Sequence, residues 1–152
     1  MARTYRRRSY RGGRDKYSVE QTAGSLEIPA AGQAYAVVVP DTTIGGMRKV
    51  KHLTVSCAAA ESDATLSYWA LVYVPQGTGV NTLTLSGASM YEPNQFVMGC
   101  GVFDFNAGPC RIRCPLSRNL NSGDRVVLIM ANPSGSIVQN VSYVVRYAVT
   151  LQ

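Results

Sequence analysis

The sequence has little of what an enzyme or a metal protein needs. Its 152 residues contain one histidine, His52, which lies on the side of its predicted strand opposite to the apolar residues. A lone histidine in that position favours an incidental role over a zinc site or a Ser-His-Asp triad. The glycine-rich phosphate loops and the G-x-S-x-G nucleophile motif do not occur. We therefore predict that the protein is not an enzyme and has no cofactor and no metal.

The four cysteines lack the C-x-x-C spacing of metal and redox motifs; they are Cys57, Cys100, Cys110 and Cys114. Cys110 and Cys114 fall on one face of a predicted strand, where four residues separate their Cβ atoms by more than about 12 Å. This distance excludes a disulfide between the two and also a shared metal ion. We predict free thiols in a reducing compartment, acting as small apolar side chains.

Long apolar runs are also missing, since none approaches the roughly 18 residues of a membrane span. The N-terminus begins with charged residues and no apolar run follows, which argues against a secretory signal. No internal repeat is apparent. We divide the chain into a basic arm, residues 1–16, and one domain, residues 17–152.

Charged residues make up only 16% of the chain, and its net charge of +6 is confined to the arm. Residues 17–152 carry eight basic and eight acidic side chains, so the domain is neutral. From residue 3 the arm reads RTYRRRSYRGGRDK. It contains one acidic residue, Asp15, and seven basic residues: Arg3, Arg6, Arg7, Arg8, Arg11, Arg14 and Lys16.

This block of like charge predicts a flexible arm that binds a polyanion, with nucleic acid as the first candidate. Seven phosphate contacts on a single strand would give a salt slope of roughly −5, which means loose, nonspecific binding by one arm. Tyr5 and Tyr10 can stack on unpaired bases. The alternatives are a solvated tail or a nuclear-import signal without a direct nucleic-acid role.

Hydrophobic periodicity indicates strands nearly everywhere. Residues 141–151 alternate apolar and polar side chains, whereas 66–74 and 124–131 are continuous apolar runs typical of strands covered on both faces. Five further strands are predicted at 34–39, 53–58, 95–103, 110–116 and 26–28, the last with a kink after the stretch 17–19. Eight short strands separated by Gly, Pro and Asn predict an all-β, single eight-stranded antiparallel jelly-roll sandwich. An immunoglobulin-like sandwich fits less well, because no Cys…Trp…Cys spacing brackets Trp69.

Strands that are apolar on both faces have two explanations. Other subunits bury the second face, or loops of the same chain cover it.

The order of segments resembles a known family. After the basic arm, KYSVEQT enters the first strand, and MYEPNQFVMGCGVFDFNAGPCRIRCPLSRNLNSGDRVVLIM follows, with EPNQFVMG, NAGP and LSRNLNSGD as its local signatures. The whole chain is similar to the capsid proteins of small circular, Rep-encoding single-stranded DNA viruses related to circoviruses. Its arm is shorter than theirs.

The resemblance implies a jelly-roll domain that assembles with itself into an icosahedral shell of sixty copies. The arm would face inward onto a circular single-stranded DNA genome and would also engage the nuclear import machinery. The protein would reside in the virion, and in the host cell nucleus during assembly, with no membrane partner. The alternative is a non-capsid β-barrel module that binds single-stranded nucleic acid through a basic arm.

Two pairs of cations in the domain are further candidates for nucleic-acid contact. Lys49 and Lys51 are predicted to continue the face of Leu53 and Val55 toward the rim of the domain. Arg111 and Arg113 are predicted to share the face opposite a second set of residues, namely Cys110, Ile112 and Cys114. Each pair either lines an inner wall or is simply solvated.

Overall fold

The computed structural model describes residues 17–60, 66–80, 84–86, 89–91, 96–134 and 136–151. These residues form β-strands, joined by turns and one 3-10 turn at Phe105–Ala107. The strands are β1 (Ser18–Ile28), β2 (Gln33–Val39), β3 (Arg48–Ala59), β4 (Leu66–Val74), β5 (Thr84–Ser86), β6 (Ser89–Tyr91), β7 (Val97–Asp104), β8 (Cys110–Cys114), β9 (Arg118–Leu120), β10 (Arg125–Ala131) and β11 (Gln139–Leu151). The described part of the chain contains no α-helix, so the all-β prediction is confirmed.

Two antiparallel sheets make up the fold. The first sheet has the order β1-β11-β3-β8, with β9 pairing to β3 beyond the end of β8. The second sheet has the order β2-β10-β4-β7, and β5 pairs with β6 as a separate hairpin. The two sheets thus hold nine strands, and the predicted number of eight is wrong. The additional strand is the three-residue β9, which is too short to leave a periodic signal.

The eight longer strands pair in reverse order along the chain. β1 pairs with β11, β2 with β10, β3 with β8, and β4 with β7, all antiparallel. Two further pairings, β11 with β3 and β10 with β4, complete the sheets. β1 pairs with β11 over its full length without a register shift, so the predicted kink between residues 19 and 26 is wrong.

The inner faces of both sheets contribute to one buried hydrophobic cluster. The alternation predicted for residues 141–151 is confirmed in β11 over residues 141–150. Its inward residues are buried and include Tyr143, Val145 and Tyr147, whereas Ser142, Val144 and Arg146 between them are exposed. Because the strand alternates strictly, every second residue of β11 is committed to the outer face of the first sheet.

The outer face of the second sheet is apolar and is buried within the single chain along its central strands, β4 and β10. Its cluster consists of Ala70, Val72, Val74, Val127, Ile129 and Ala131. Partly buried side chains of the same chain pack against it, among them Tyr68, Val80 and Phe96. Of the two explanations for strands that are apolar on both faces, coverage by the chain itself holds for these two central strands, whereas Tyr35 and Val37 on the edge strand β2 stay exposed on the same face.

Candidate nucleic-acid interface

The residues predicted to form the basic arm lie outside the described residues. They are Arg3, Arg6, Arg7, Arg8, Arg11, Arg14 and Lys16, with Tyr5 and Tyr10. The structure therefore bears on the four cations predicted within the domain and on the point where the arm joins it.

A β-bulge in β3 sets which way its cations point. Arg146 of β11 pairs with Thr54, but Ala148, two residues later, pairs with Lys51, so two residues of β3 face one residue of β11. His52 sits in the bulge with a φ of 55°, a left-handed conformation that few residues other than glycine adopt. The inward and outward alternation of β3 therefore changes phase at His52.

This change of phase corrects the prediction for Lys49 and Lys51. Without a bulge they would share the face of Leu53, which is buried in the core. The observed inward residues before the bulge are Arg48 and Val50, both buried, while the two lysines between them are partly exposed. Lys49 and Lys51 consequently lie on the outer face of the first sheet.

Three arginines join them on that outer face. Thr54 pairs with Arg146 on one side and with Arg113 on the other, so these residues form a row across three strands. In the next row, Ser56 pairs with Arg111. Directly opposed residues in a sheet point to the same face, and adjacent strands lie about 4.8 Å apart. The prediction that Arg111 and Arg113 share the face opposite the buried Cys114 side is confirmed.

We call this set, Lys49, Lys51, Arg111, Arg113 and Arg146, the basic face. A cleft of about 330 Å³ opens in it, lined by Val19, His52, Thr54, Arg111, Arg113, Arg146, Tyr147 and Ala148. The bottom of the cleft is formed by the short side chains of Thr54 and Ala148. The longer side chains of Arg113 and Arg146 form its sides. Planar guanidinium groups on two sides of a hydroxyl are suited to phosphate oxygens.

The two acidic residues of β1 are not paired directly with the arginines of the basic face. Glu20 is exposed, lies on the same side of the sheet as its partner Tyr147, and accepts a hydrogen bond of 2.8 Å from the Tyr147 hydroxyl. Burial, together with this bond and the charge of Glu20, raises the pKa of Tyr147 to about 12. Glu27 is on the outward side of β1, but it lies six positions beyond Gln21, which is the partner of Arg146. This offset places Glu27 about 20 Å along the strand from Arg146.

The arm joins the domain at the basic face. Tyr17 is the first described residue, and its hydroxyl accepts a hydrogen bond of 2.9 Å from the Lys51 ammonium group. The same ammonium nitrogen lies 5.0 Å from the centre of the Tyr17 ring, within the range of a cation–π contact. Since residue 16 precedes Tyr17 directly, the chain enters the domain from the arm at a point beside Lys51 of the basic face.

A second cleft of about 460 Å³ includes Lys49 of the basic face in its lining. It is lined by Lys49, Tyr73, Ser117, Arg118, Asn119 and Asn121. The Arg118 guanidinium carbon lies 4.2 Å from the centre of the Tyr73 ring, over its face, within the range of a cation–π contact. The lining is polar and uncharged apart from two cations.

The buried Asp124 holds the wall of this second cleft. Its carboxylate accepts hydrogen bonds from the Tyr73 hydroxyl at 2.8 Å, the Gln76 backbone at 3.0 Å and the Asn121 backbone at 2.7 Å. Burial opposes its ionisation, but these donors outweigh burial and lower the pKa of Asp124 below its ordinary value. Asp124 is therefore a structural anion, enclosed by its own donors rather than paired with a surface cation.

The side chains of the basic face are chemically suited to binding a polyanion. Within the described segments, no group of three or more His, Cys, Asp or Glu residues is placed to hold a metal ion. Nor does any helix there have the length and apolar character to span a bilayer.

The sequence analysis did not predict Arg146 and Thr54 as site residues, and it assigned His52 an incidental role. Alternation in β11 already placed Arg146 outward, but only the strand pairing brings it beside Arg113.

Comparison of the chain with protein-family models and with curated proteins finds no match.

Proposed function

We propose that this protein is a viral capsid protein that assembles with itself into an icosahedral shell and packages circular single-stranded DNA. One observation carries the proposal: the basic arm is attached, through Tyr17 and Lys51, at a basic face on one side of an otherwise neutral domain. A shell subunit needs this polarity, since one side must face a polyanion and the others must face neighbouring subunits.

The strand order supports a jelly-roll sandwich. In a jelly roll, a long antiparallel hairpin of eight strands is rolled up, so that strands pair in reverse order and distribute over two sheets. The eight longer strands here pair in that way, with sheet orders β1-β11-β3-β8 and β2-β10-β4-β7. The buried cluster shared by the two sheets is what two stacked layers require.

The basic face would form the inner wall of the shell and the arm would extend from it onto the genome. Contacts of this kind are nonspecific and individually weak, but sixty copies around one enclosed polymer act together. Newly made protein would carry the arm to the nuclear import machinery. The virion and the host cell nucleus are accordingly the proposed locations.

Subunit contacts would use the exposed apolar residues away from the basic face. On β2, an edge strand of the second sheet, Tyr35 is 57% exposed and Val37 is also exposed. Val102 is exposed on β7, the opposite edge strand, and Ile44 in the β2–β3 loop is 68% exposed. Exposed apolar side chains on sheet edges are typical of protein interfaces.

Negative-stain microscopy and light scattering of purified protein, with and without nuclease, test the proposal. We expect closed particles that contain nucleic acid. Tyr35→Glu with Val37→Glu should prevent assembly and leave a folded subunit, while Glu27→Gln, on a different strand, should not. Deleting residues 2–16 should leave particles that copurify with much less nucleic acid. Folded 16.4-kDa monomers under all salt conditions would contradict the proposal.

The basic face also favours a second function, a single-stranded nucleic-acid-binding module that does not assemble. The two functions differ in one measurement. A module would bind single-stranded DNA as a monomer, and the Tyr35→Glu, Val37→Glu variant would bind with unchanged affinity and stoichiometry.

A further inference from the structure

Strand pairing places two cysteines directly opposite each other. In the register of β3 with β8, Cys57 is the partner of Cys110. Directly opposed residues of an antiparallel pair have Cα atoms about 4.5–5.5 Å apart and side chains on the same face. A disulfide requires Cα atoms roughly 4.4–6.8 Å apart, so this pair meets the requirement without movement of the strands.

The two thiols are free and differ in access. Cys57 is 2% exposed in the core, whereas Cys110 is partly exposed at the start of β8. The Cys110 sulfur donates a hydrogen bond of 3.4 Å to the Gly108 carbonyl. Burial, and secondarily the neighbouring Cys110 thiol, raise the pKa of Cys57 to about 12, and burial also raises the pKa of Cys110. Both groups therefore stay protonated and slow to react in a reducing compartment.

The register offers this opportunity to no other pair of the four cysteines. Cys114 is opposite Leu53, and Cys100 is exposed on β7 opposite Ala70 in the other sheet. Cys110 and Cys114 stand at opposite ends of β8.

We propose that Cys57 and Cys110 form a cross-strand disulfide when the protein passes from a reducing to an oxidising environment, with a small-molecule disulfide such as oxidised glutathione as the oxidant. The Cys110 thiolate attacks one sulfur of the oxidant, whose S–S bond breaks. The departing thiolate takes up the proton that Cys110 lost. The Cys57 thiolate then attacks the Cys110 sulfur and releases the second thiol, which takes up the Cys57 proton. Two protein thiols lose two electrons, and one disulfide is reduced to two thiols.

The bond would secure a weak point of the fold. β8 is an edge strand of the first sheet and is held by β3 alone among its neighbours in that sheet. The chain between Cys57 and Cys110 includes β4 and β7 of the second sheet, so the bond also closes a long loop that links the sheets. Closing a loop of this length restricts the unfolded chain strongly. The inference is independent of nucleic-acid binding and of assembly.

The test is equilibration of the folded full-length protein with oxidised glutathione at mildly alkaline pH, followed by alkylation of free thiols and mass spectrometry. We expect a Cys57–Cys110 linked peptide and alkylation of Cys114. Thermal unfolding should shift upward by roughly 10 °C, and a reductant should reverse the shift. Cys100→Ser serves as the matched control and should behave like the wild type.

Cys57→Ala and Cys110→Ala separate the two steps. Cys57→Ala should retain glutathione on Cys110 and should show no upward shift. Cys110→Ala should leave Cys57 reduced, because the buried thiol is not reached from solvent. Three results would overturn the proposal: four free thiols in the oxidised wild type, glutathione that persists on wild-type Cys110, or a linked peptide that joins any other two cysteines.

Discussion

The outer faces of the two sheets are opposites, although both sheets share one core. The second sheet presents Ala, Val and Ile on the outer side of its central strands β4 and β10, and the chain covers them, so that Val127 is 0% exposed. The first sheet presents Thr54, Ser56 and long cations, and its outer face stays open, with Val144 42% exposed. Both sheets are antiparallel, so the difference lies in the outward side chains and in what covers them.

The zero net charge of the domain hides an uneven distribution of its charged side chains. Residues 17–152 balance eight basic against eight acidic residues, but the two signs are used differently. Asp124 and Glu20 accept hydrogen bonds within the fold, whereas Arg113 and Arg146 flank an open cleft. These two acids serve the fold and these two arginines serve the surface, although the buried Arg48 also donates a hydrogen bond within the fold, to the Pro40 carbonyl. Net charge alone conceals a polarised domain.

The largest effect is expected from placing the same charge on each outer face. Val127→Asp puts a carboxyl group into the covered face, where it has no partner, and should lower the free energy of unfolding by about 4 kcal/mol or more. Val144→Asp puts it on the open face and should change stability by no more than about 0.5 kcal/mol. Urea unfolding midpoints, compared at constant slope, measure both.

Equal tolerance of the two substitutions would break the comparison. It would mean that the apolar face of the second sheet opens to solvent in the free subunit. In that case a second subunit, rather than the chain itself, would have to cover Val127 in the assembled protein.

An intermediate effect is expected at Asp124. Asp124→Asn keeps one acceptor oxygen but removes the charge that three donors surround, and should cost about 1–3 kcal/mol at neutral pH. Glu27→Gln, at an exposed acid on β1, should cost less than about 0.5 kcal/mol. Neither substitution should weaken binding to single-stranded DNA, which would confirm that Asp124 serves the fold.

The pH dependence of the Asp124 effect has a definite sign. Its folded-state pKa lies below the ordinary value of about 3.9, so its stabilisation is fully present above about pH 5. The stabilisation is lost as the pH falls through the folded-state pKa, because protonation then favours the unfolded chain. The stability difference between wild type and Asp124→Asn should therefore shrink in acid. A difference that grows below pH 4 would contradict the lowered pKa.

The strands could be predicted where their signal is local. β11 alternates over residues 139–150, and its buried residues follow from that pattern alone. β9 could not be predicted, because three residues carry no period and their pairing with Arg48–Val50 is a long-range fact. The same holds for the pairing of Cys57 with Cys110, which depends on the register between two strands far apart in the chain.

The candidate site shows the same limit more sharply. The outward direction of Arg111 and Arg113 can be predicted from the sequence, because β8 is regular and the buried Ile112 between them shows which side faces the core. Lys49 and Lys51 were placed on the wrong face, because the bulge at His52 reverses the phase of β3. The local sequence RKVKHLTV does not predict that His52 adopts a left-handed backbone conformation. The bulge arises from the pairing with β11, so only the assembled sheet reveals the basic face.

The smallest effect is expected from single cations of the basic face. Arg113→Ala and Arg146→Ala should each flatten the salt dependence of single-stranded DNA binding by about 0.7 in slope, and the double variant by about twice that. Stability should change by less than about 0.5 kcal/mol, since both side chains are exposed. Arg125→Ala is the matched control, because Arg125 lies on β10 and donates a hydrogen bond of 3.4 Å to the Thr78 carbonyl. A slope that changes equally in all three single variants would show that binding follows total charge and does not depend on the cleft between Arg113 and Arg146.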